Sequence, residues 1–515
     1  MTGNEPPSGP PPAAVPAGAG GPVGTRVFAA VDIGASSGRV ILGRVTRDGG
    51  SPAVSLETVH RFPNGVQESD GGLRWDVDAL FGEVLTGLTA AAAAAAAHGE
   101  RIASIGIDTW AVDYGRVNAA GGLVAQPFSY RDGRSRSVVA GVHGRLDPER
   151  LYATTGLQFL EFNTIYQLAG EADLDGVQAL LIPDLMAFLL TGQRRTEVTN
   201  ASTTGLFDAV AGEWATEFLA ALDLPPDLFP PLVQPGETVG PLLPAVAAQT
   251  GLAAGTRVVA VGSHDTASAV VAVPAETDDF AYISSGTWSL VGVELRHPVL
   301  TEASRLANFT NERGVDGTVR YLRNVGGLWL LSECQRTWAA HGPTVSLAEL
   351  LDGAAALPAG GPLIDADNPA FTAPDNMPAR IRAAAAASGA FLPDDPAPIV
   401  RCILDSLAAG YARTISDAER LAGRAVNVVH VVGGGSQNRL LCQLTANATG
   451  KPVIAGPVEA TALGNVLVQA RASGELSGGL AELRKIVAGG MALERYEPTA
   501  ARIGPLRPPH QIPRI

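Results

Sequence analysis

Apolar segments of strand length alternate with longer segments of helical character along most of the chain. Residues 27–31 and 40–42 are apolar, and a short turn of small and polar residues separates them, so the pattern predicts a β-hairpin. The elements predicted next are helices over 77–98 and 180–190 and strands over 102–108 and 258–262. This mixed order of strands and helices predicts an α/β protein.

The second half of the chain begins with the same pattern. Apolar residues 280–283 lead into a small-residue turn, and a second apolar segment follows over 290–293. This weak repeat, about 250 residues after the first hairpin, predicts two related lobes. Their boundary is expected near 274–279, where polar residues interrupt the apolar pattern. Further on, an apolar segment over 428–432 meets three glycines and then a predicted helix over 439–448.

The composition fits a folded protein with more than one domain. The chain has 515 residues, of which 46% are hydrophobic and 17% charged, which is enough to build sizeable cores. With the boundary predicted near 274–279, we expect lobes over 25–275 and 276–490. Residues 1–24 are mostly Pro, Gly and Ala without the features of a secretory signal, and we expect them to form a disordered tail, with a C-terminal tail over 491–515.

The charge pattern narrows the classes of partner. The net charge is −14, and lysine occurs only at Lys451 and Lys485, which argues against binding to a nucleic-acid backbone. Three scattered cysteines are too few for a disulfide framework or a zinc site. No segment of about 18 strongly apolar residues occurs, so no membrane span is expected. The sequence predicts a cytoplasmic protein that binds neither nucleic acid nor membrane.

Two turns could bind phosphate. Between the first two predicted strands, Gly and Ser backbone N–H groups can surround phosphate oxygens, Arg39 supplies a cation, and Asp32 could hold Mg²⁺ through water. The alternative is an ordinary hairpin turn with a surface arginine. The Gly433-Gly434-Gly435 turn is the second candidate, with a tight structural turn as its alternative. No P-loop motif and no Rossmann fingerprint occurs, which excludes those two nucleotide sites.

Other polar residues follow predicted strands. Asp265 comes just after an apolar strand, where α/β enzymes present catalytic groups, and it could act as a general base or simply cap a helix. The same ambiguity applies to His264. The segment from Asp108 to Asp113 is predicted to form a polar and aromatic rim suited to a sugar. Asn324 is expected just before a helix, either as another polar contact or as a cap.

Taken together, and in their order along the chain, these segments resemble the FGGY family of carbohydrate kinases. The resemblance spans about residue 27 to residue 470. The segments that carry it are 31–40 (VDIGASSGRV), 74–78 (RWDVD), 105–110 (IGIDTW), 162–168 (FNTIYQL), 199–204 (TNASTT), 263–269 (SHDTASA), 284–290 (SSGTWSL), 433–438 (GGGSQN) and 455–460 (AGPVEA).

The resemblance implies a two-lobed, actin-like ATPase fold, with a ribonuclease-H-like core in each lobe and the active site in the cleft between them. It also implies ATP-dependent phosphorylation of a ketose with Mg²⁺, most closely L-rhamnulose to its 1-phosphate. The implied roles are Asp265 as the general base; Ala111, His264, Asp265, Thr266 and Asn324 as sugar contacts; Ala35, Ser36, Ser37, Gly38, Arg39, Thr287, Gly433, Gly434 and Gly435 as ATP contacts; and Asp32 as a Mg²⁺ ligand through water.

The chain departs from the family pattern at two positions. Ala111 stands where the family has a sugar-contacting glycine, so the sugar pocket is expected to be slightly narrower. Ser332 stands where the family often has an ATP-contacting glutamine, and neither it nor Gln335 is assigned to ATP. Two alternatives remain: an FGGY kinase acting on xylulose, fuculose, ribulose or glycerol, and an actin-like nucleotide-binding regulator without turnover. No appended DNA-binding motif is evident in the sequence outside the two predicted lobes, which argues against the regulator.

Overall fold

The computed structural model describes residues 24–48, 51–342, 345–371 and 375–499. Residues 1–23, nearly all of the predicted N-terminal tail, lie outside these ranges, and so do residues 500–515 of the predicted C-terminal tail.

The first lobe contains the elements from β1 to α9. In chain order they are β1 (Gly24–Ile33), β2 (Ser37–Arg47), β3 (Ala53–Pro63), β4 (Val66–Ser69), β5 (Gly72–Trp75), α1 (Val77–Ala97), β6 (Ile102–Thr109), β7 (Tyr114–Asn118), α2 (Val139–Arg145), α3 (Pro148–Thr155), α4 (Thr164–Ala169), β8 (Val177–Leu181), α5 (Ile182–Thr191), β9 (Thr196–Glu197), α6 (Val198–Ala201), β10 (Phe207–Asp208), β11 (Glu213–Trp214), α7 (Thr216–Ala221), β12 (Leu232–Val233), β13 (Thr238–Pro241), α8 (Pro244–Thr250), β14 (Arg257–Val259) and α9 (Asp265–Val271).

The second lobe contains the elements from β15 to β21. In chain order they are β15 (Phe280–Ser285), β16 (Trp288–Leu295), α10 (Glu302–Leu306), β17 (Thr310–Arg313), β18 (Val319–Gly326), α11 (Trp329–His341), α12 (Leu347–Ala355), α13 (Met377–Ala387), α14 (Pro396–Ala422), β19 (Val428–Val432), α15 (Arg439–Thr449), β20 (Val453–Ala455), α16 (Ala460–Ala472), α17 (Leu480–Gly490) and β21 (Glu494–Tyr496).

The two lobes repeat one sheet topology. The first sheet has the strand order β13-β14-β6-β1-β2-β3, and the second has β17-β18-β16-β15-β19-β20-β21. In each sheet the first three core strands are antiparallel neighbours (β1-β2-β3 and β15-β16-β18), and the next two are parallel to the first (β6-β14 and β19-β20). This shared five-strand core confirms the prediction of two related α/β lobes and shows that the weak sequence repeat marks a repeat of the whole core.

Most predicted elements are present with modest shifts in their ends. Both hairpins form, and α1 starts after Asp76, whose side chain accepts the Ala79 N–H as an N-cap. The predicted helix over 180–190 is a strand up to Leu181 and becomes helix α5 only from Ile182, where Pro183 occupies the first turn. The second sheet extends past residue 490, because β21 pairs with β20.

One described helix, α1, has the length and apolar composition of a membrane-spanning helix. In this fold it packs against β2, β3 and α8, and its buried residues belong to the hydrophobic core of the first lobe. Its apolar character is therefore accounted for by packing inside the lobe.

Helices α9 and α16 form the joint between the lobes. They approach so closely that a Cβ atom on Gly464 of α16 would lie 1.8 Å from the carbonyl oxygen of Ser268 of α9. Only a residue without a side chain fits this contact.

Buried hydrogen bonds add to the joint. The Asn465 side chain of α16 donates to Asp108 Oδ2 of β6 at 2.6 Å. Gln469 accepts from Ser104 Oγ at 2.7 Å and donates to the Ala29 carbonyl at 3.0 Å. A helix of the second lobe is thus bonded to two central strands of the first.

We predict that Gly464→Ala lowers the free energy of unfolding by about 1–3 kcal/mol, because the added methyl group overpacks the contact between α9 and α16. The matched control is Gly82→Ala in α1, where a Cβ meets nothing within 4 Å and the free energy of unfolding should rise by about 0.5–1 kcal/mol. Denaturant titration of both variants checks this. Equal stability of the two variants would contradict the close contact.

Candidate functional site

A cleft lined by residues of both lobes lies between them. The first lobe contributes the turn after β1, the segment after β6, the segment after α3 and the start of α9. The second lobe contributes the β15–β16 turn, parts of β17 and β18, the glycine turn after β19 and the start of α16. Strand ends and helix starts from both lobes therefore face one space.

The cleft brings together most of the residues predicted from the sequence. The predicted residues that line it are Asp32, Ala35, Ser36, Arg39, Ala111, His264, Asp265, Thr266, Thr287, Asn324, Gly433 and Gly434. Three predicted ATP contacts, Ser37, Gly38 and Gly435, are not among the lining residues.

Two of these three are glycines that allow close packing. A Cβ atom on Gly38 would lie 2.2 Å from the Phe62 ring. A Cβ atom on Gly435 would lie 2.0 Å from Ser285 Oγ. The last glycine of the glycine turn thus packs against the β15 strand end, and a short 3-10 turn over Gly434–Gln437 separates the turn from α15.

Asp32 and Arg39 are paired across the first turn. They are register partners on β1 and β2, and the Arg39 guanidinium donates to Asp32 Oδ2 at 2.8 and 2.9 Å. Arg39 also forms an ion pair with Glu459, which lies at the start of α16 in the second lobe. Burial raises the pKa of Asp32, and the Arg39 charge opposes that rise. Arg39 is therefore a cross-lobe partner of two carboxylates and not a free surface arginine.

Asp108 was predicted to form part of the polar and aromatic rim that contacts the sugar, and this prediction is wrong, because Asp108 does not line the cleft. Its side chain is buried beside Asp32, its register partner, and bonded to Asn465. The second carboxylate oxygen, Oδ1, is buried without a hydrogen-bond partner among the described residues. Burial raises the pKa of Asp108 well above the usual aspartate value, and the Asp32 carboxylate adds to the rise. Asp108 does not line the cleft, because its carboxylate is bonded to Asn465 of α16 inside the joint.

Asp113 is the other residue wrongly expected on the rim. Its buried carboxylate accepts the indole N–H groups of Trp75 at 2.6 Å and Trp110 at 3.0 Å, the Tyr130 backbone N–H at 3.1 Å and the Gln167 amide at 3.0 Å. Trp110 and Tyr130 both line the cleft. Asp113 therefore fixes the aromatic wall from behind.

Asp265 opens the first turn of α9 and faces the cleft. The N-cap position of α9 is occupied by His264. Asp265 therefore does not cap the helix, which was the alternative role considered for it from the sequence. About 35% of the Asp265 side chain is exposed, and its Oδ1 accepts the Thr266 hydroxyl at 3.0 Å. The carboxylate is thus accessible to a small molecule in the cleft.

His264 is held from the second lobe. Its Nδ1 lies 3.2 Å from Glu312 Oε2 and 3.2 Å from the Arg320 guanidinium, and Arg320 pairs with Glu312 at 2.9 Å. Burial acts to raise the pKa of Glu312, but Arg320 and His264 outweigh it and hold that pKa below its usual value. His264 Nε2, 3.4 Å from Asp265 Oδ1, is the nitrogen that remains toward the cleft.

The turn before Asp265 is fixed by a buried glutamate. Glu197 accepts the Ser263 hydroxyl at 2.7 Å and the Ser263 N–H at 3.1 Å, and it also accepts the Thr199 N–H at 3.0 Å. These bonds hold the turn that leads into α9. No sequence pattern singled out Glu197, although its neighbours lie in the 199–204 segment that carried the family resemblance.

Each of the two lobes is matched by a model of one protein family. The N-terminal domain model of the FGGY family of carbohydrate kinases matches residues 27–272, and the C-terminal domain model matches residues 281–473. The chain belongs to the FGGY family of carbohydrate kinases. This FGGY kinase is 42% identical over 477 residues to a rhamnulokinase from Bacteroides thetaiotaomicron, with 92% of this chain and 96% of the relative covered. It is 36% identical to a rhamnulokinase from Bacillus subtilis, with 92% and 95% covered.

Solved structures of other sugar kinases share the fold. A gluconate kinase from Lactobacillus acidophilus matches with a TM-score of 0.73 at 16% identity, covering 92% of this chain and 94% of that one. A glycerol kinase from Plasmodium falciparum with ADP matches with a TM-score of 0.71 at 14% identity, covering 92% and 94%. These matches confirm the two-lobed, actin-like fold predicted from the sequence.

In this FGGY kinase Asn324 lies inside β18, the strand that precedes α11. The N-cap of α11 is Leu328, so Asn324 is not the cap of that helix. Its backbone N–H and its side-chain amide both donate to Gln158 Oε1, at 3.1 and 3.0 Å. Gln158 belongs to the first lobe and also lines the cleft. No sequence pattern singled out Gln158, because its partner is 166 positions away.

We predict that the stability contributed by Asp113 falls as the pH rises. Burial raises its pKa to about 6 in the folded kinase, whereas an unfolded aspartate has a pKa of about 3.9. The folded state therefore takes up the proton first. The contribution is complete below about pH 4 and is lost as the pH rises through about 6.

The measurement is the difference in free energy of unfolding between the wild type and Asp113→Asn from pH 4 to 8. It should decline by up to about 3 kcal/mol and level off above about pH 7. The control is Asp227→Asn, an exposed aspartate of the same lobe, and the pH dependence at Asp113 is compared with that of this variant. A difference that grows with pH at Asp113 would contradict the buried, proton-binding carboxylate.

Proposed function

We propose that this kinase transfers the γ-phosphate of ATP to the terminal hydroxyl of L-rhamnulose, with Asp265 as the general base. The observation that carries the proposal is the accessible Asp265 carboxylate at the start of α9, in the same cleft as the two small-residue turns. The substrate is proposed from the curated relatives, which are rhamnulokinases 36–42% identical over about 92% of the chain.

The nucleotide side of the cleft consists mainly of small residues and backbone. Ala35, Ser36, Thr287, Gly433 and Gly434 line it, and their backbone N–H groups and hydroxyls are suited to phosphate oxygens. Gly433 has φ +82°, a conformation that favours glycine. Catalysis of phosphoryl transfer is largely positioning and charge stabilisation, which a fixed turn in each lobe can supply.

The carboxylates near the phosphate turns fit a magnesium ion that enters with ATP. Carboxylate oxygens are ligands that Mg²⁺ prefers, and Asp32 and Asp265 both reach the cleft. The described residues hold no group of three or more ligating side chains that could bind a metal alone. Asp32 would therefore hold the ion through water, while the ATP phosphates supply other ligands. When bound, Mg²⁺ neutralises charge on the phosphates.

The sugar side combines polar groups with apolar walls. His264, Thr266 and Asn324 offer hydrogen-bonding groups, while Trp110 and Phe162 provide apolar surface. L-Rhamnulose has hydroxyl groups along most of its length and a methyl group at one end, so both surfaces have a counterpart. Ala111, which lines this side in place of the family's glycine, narrows the space by one methyl group.

In the reaction we propose, the ketose hydroxyl approaches Asp265 while the triphosphate lies along the small-residue turns. Asp265 accepts the hydroxyl proton as the oxygen attacks the γ-phosphorus, and ADP leaves. His264 lies beside Asp265 and is oriented by Glu312 and Arg320, so it can bond a neighbouring sugar oxygen. A dependence on ATP fits our expectation of a cytoplasmic enzyme.

We predict that Asp265→Asn lowers kcat by about 10²–10⁴-fold, because the amide cannot accept the hydroxyl proton. ATP binding and the thermal midpoint should stay close to wild type, since the side chain does not cap α9. Coupled ADP release gives kcat, and calorimetry gives ATP affinity. The control is Asp175→Asn, an exposed aspartate that does not line the cleft, and this variant should be fully active. An active Asp265→Asn enzyme would refute the base assignment.

We predict the highest kcat/KM for L-rhamnulose in a panel that also contains xylulose, fuculose, ribulose and glycerol. Coupled ADP release with each sugar measures it. A much higher kcat/KM for xylulose than for rhamnulose would replace the proposed substrate while keeping the sugar-kinase chemistry. ATP binding without turnover on any sugar in the panel would favour a nucleotide-binding regulator.

A further inference from the structure

The hydrogen bonds between Gln158 and Asn324 fix the orientation of both side-chain amides. The backbone N–H of Asn324 can only donate, so the Gln158 atom that faces it must be the carbonyl oxygen Oε1. The Asn324 side chain also meets this oxygen and must present its NH₂ group there. The remaining atoms, Gln158 Nε2 and Asn324 Oδ1, therefore point away from the shared contact.

These two remaining atoms have no hydrogen-bond partner among the described residues, although Gln158 is only 4% exposed. Both side chains line the cleft. The Gln158 backbone is held in place, because Asn163 Nδ2 donates to its carbonyl at 2.8 Å. The donor from the first lobe and the acceptor from the second thus belong to side chains that line the cleft, and Gln158 also lines a second pocket beside it.

We propose that Gln158 is a sugar-binding and specificity-determining residue, and that with Asn324 it forms a clamp for sugar hydroxyl groups whose halves belong to different lobes. A hydroxyl group both donates and accepts hydrogen bonds, so it can satisfy Gln158 Nε2 and Asn324 Oδ1, whereas a methyl or methylene group can satisfy neither. This inference rests on the proposed function of the cleft as a ketose site.

The clamp also links sugar binding to the observed arrangement of the lobes. Separation of the lobes breaks both hydrogen bonds from Asn324 to Gln158 and parts the donor from the acceptor. A sugar bound to both atoms therefore favours the arrangement in which Asp265 and the phosphate turns face the same space.

Two substitutions separate sugar binding from simple support of the fold. Gln158→Met removes the donor and the oxygen. Gln158→Glu keeps an oxygen for Asn324 but replaces the Nε2 donor by a second acceptor. If Gln158 only joined the lobes, Gln158→Glu would behave like the wild type. The clamp predicts that both variants raise the KM for the ketose by about 10-fold or more, with the KM for ATP changed less than about 2-fold.

The control is Gln249→Glu, which makes the same change at an exposed site on α8 and should alter neither KM. Monodeoxy ketoses give a second readout. With the wild type, one of them should lose about 10-fold in kcat/KM, and with Gln158→Met that additional loss should disappear because its partner is gone.

An unchanged ketose KM in both variants would overturn the clamp, and so would an equal rise of the ketose and ATP KM values. In either case, ketose turnover by the wild type would leave the proposed function intact. Absence of turnover by the wild type with every ketose would instead overturn the proposed function and the clamp that rests on it. Thermal unfolding of each variant shows whether an equal rise of the ketose and ATP KM values comes with a damaged fold.

Discussion

The close contact between α9 and α16 is the constraint on which the site depends. Gly464 allows the two helices to meet at the Ser268 carbonyl, and Asn465 bonds the second lobe to Asp108 of the first. Both helices begin at the cleft, α9 with Asp265 and α16 just after Glu459. Because this joint fixes two helix starts relative to each other, it also fixes the distance between the candidate base and the phosphate turns.

The phosphate half of the cleft contains more carboxylate than cation. Arg39 is bonded to Asp32 and paired with Glu459. The Asp265 carboxylate adds to the raised pKa values of both Asp32 and Asp108. An anionic triphosphate therefore has to rely on backbone N–H groups and an accompanying cation in addition to Arg39. The arrangement explains how an acidic protein can bind ATP: the binding groups are local, and the net charge of the whole chain matters little.

The sequence predicted the frame of the molecule better than the connections across it. Apolar pattern and turn residues were enough for both hairpins and the two-lobe repeat, and the position of Asp265 after a strand placed it correctly at the cleft. Asp108 and Asp113 were misplaced because a polar residue at a strand end can point into the core when Asn465 or paired indoles bond it. Gln158 was missed because its contact to the second lobe depends on how the lobes meet, which no local pattern encodes.

The position of a bound ketose relative to Asp265 can be measured in a crystal structure of the kinase with L-rhamnulose and a non-hydrolysable ATP analogue. We expect one ketose in the cleft, with its terminal hydroxyl within about 3 Å of an Asp265 carboxylate oxygen. The same hydroxyl should face the γ-phosphorus held by the two small-residue turns. A ketose bound with that hydroxyl remote from Asp265, or a nucleotide bound away from the Gly433-Gly434 turn, would contradict this expectation.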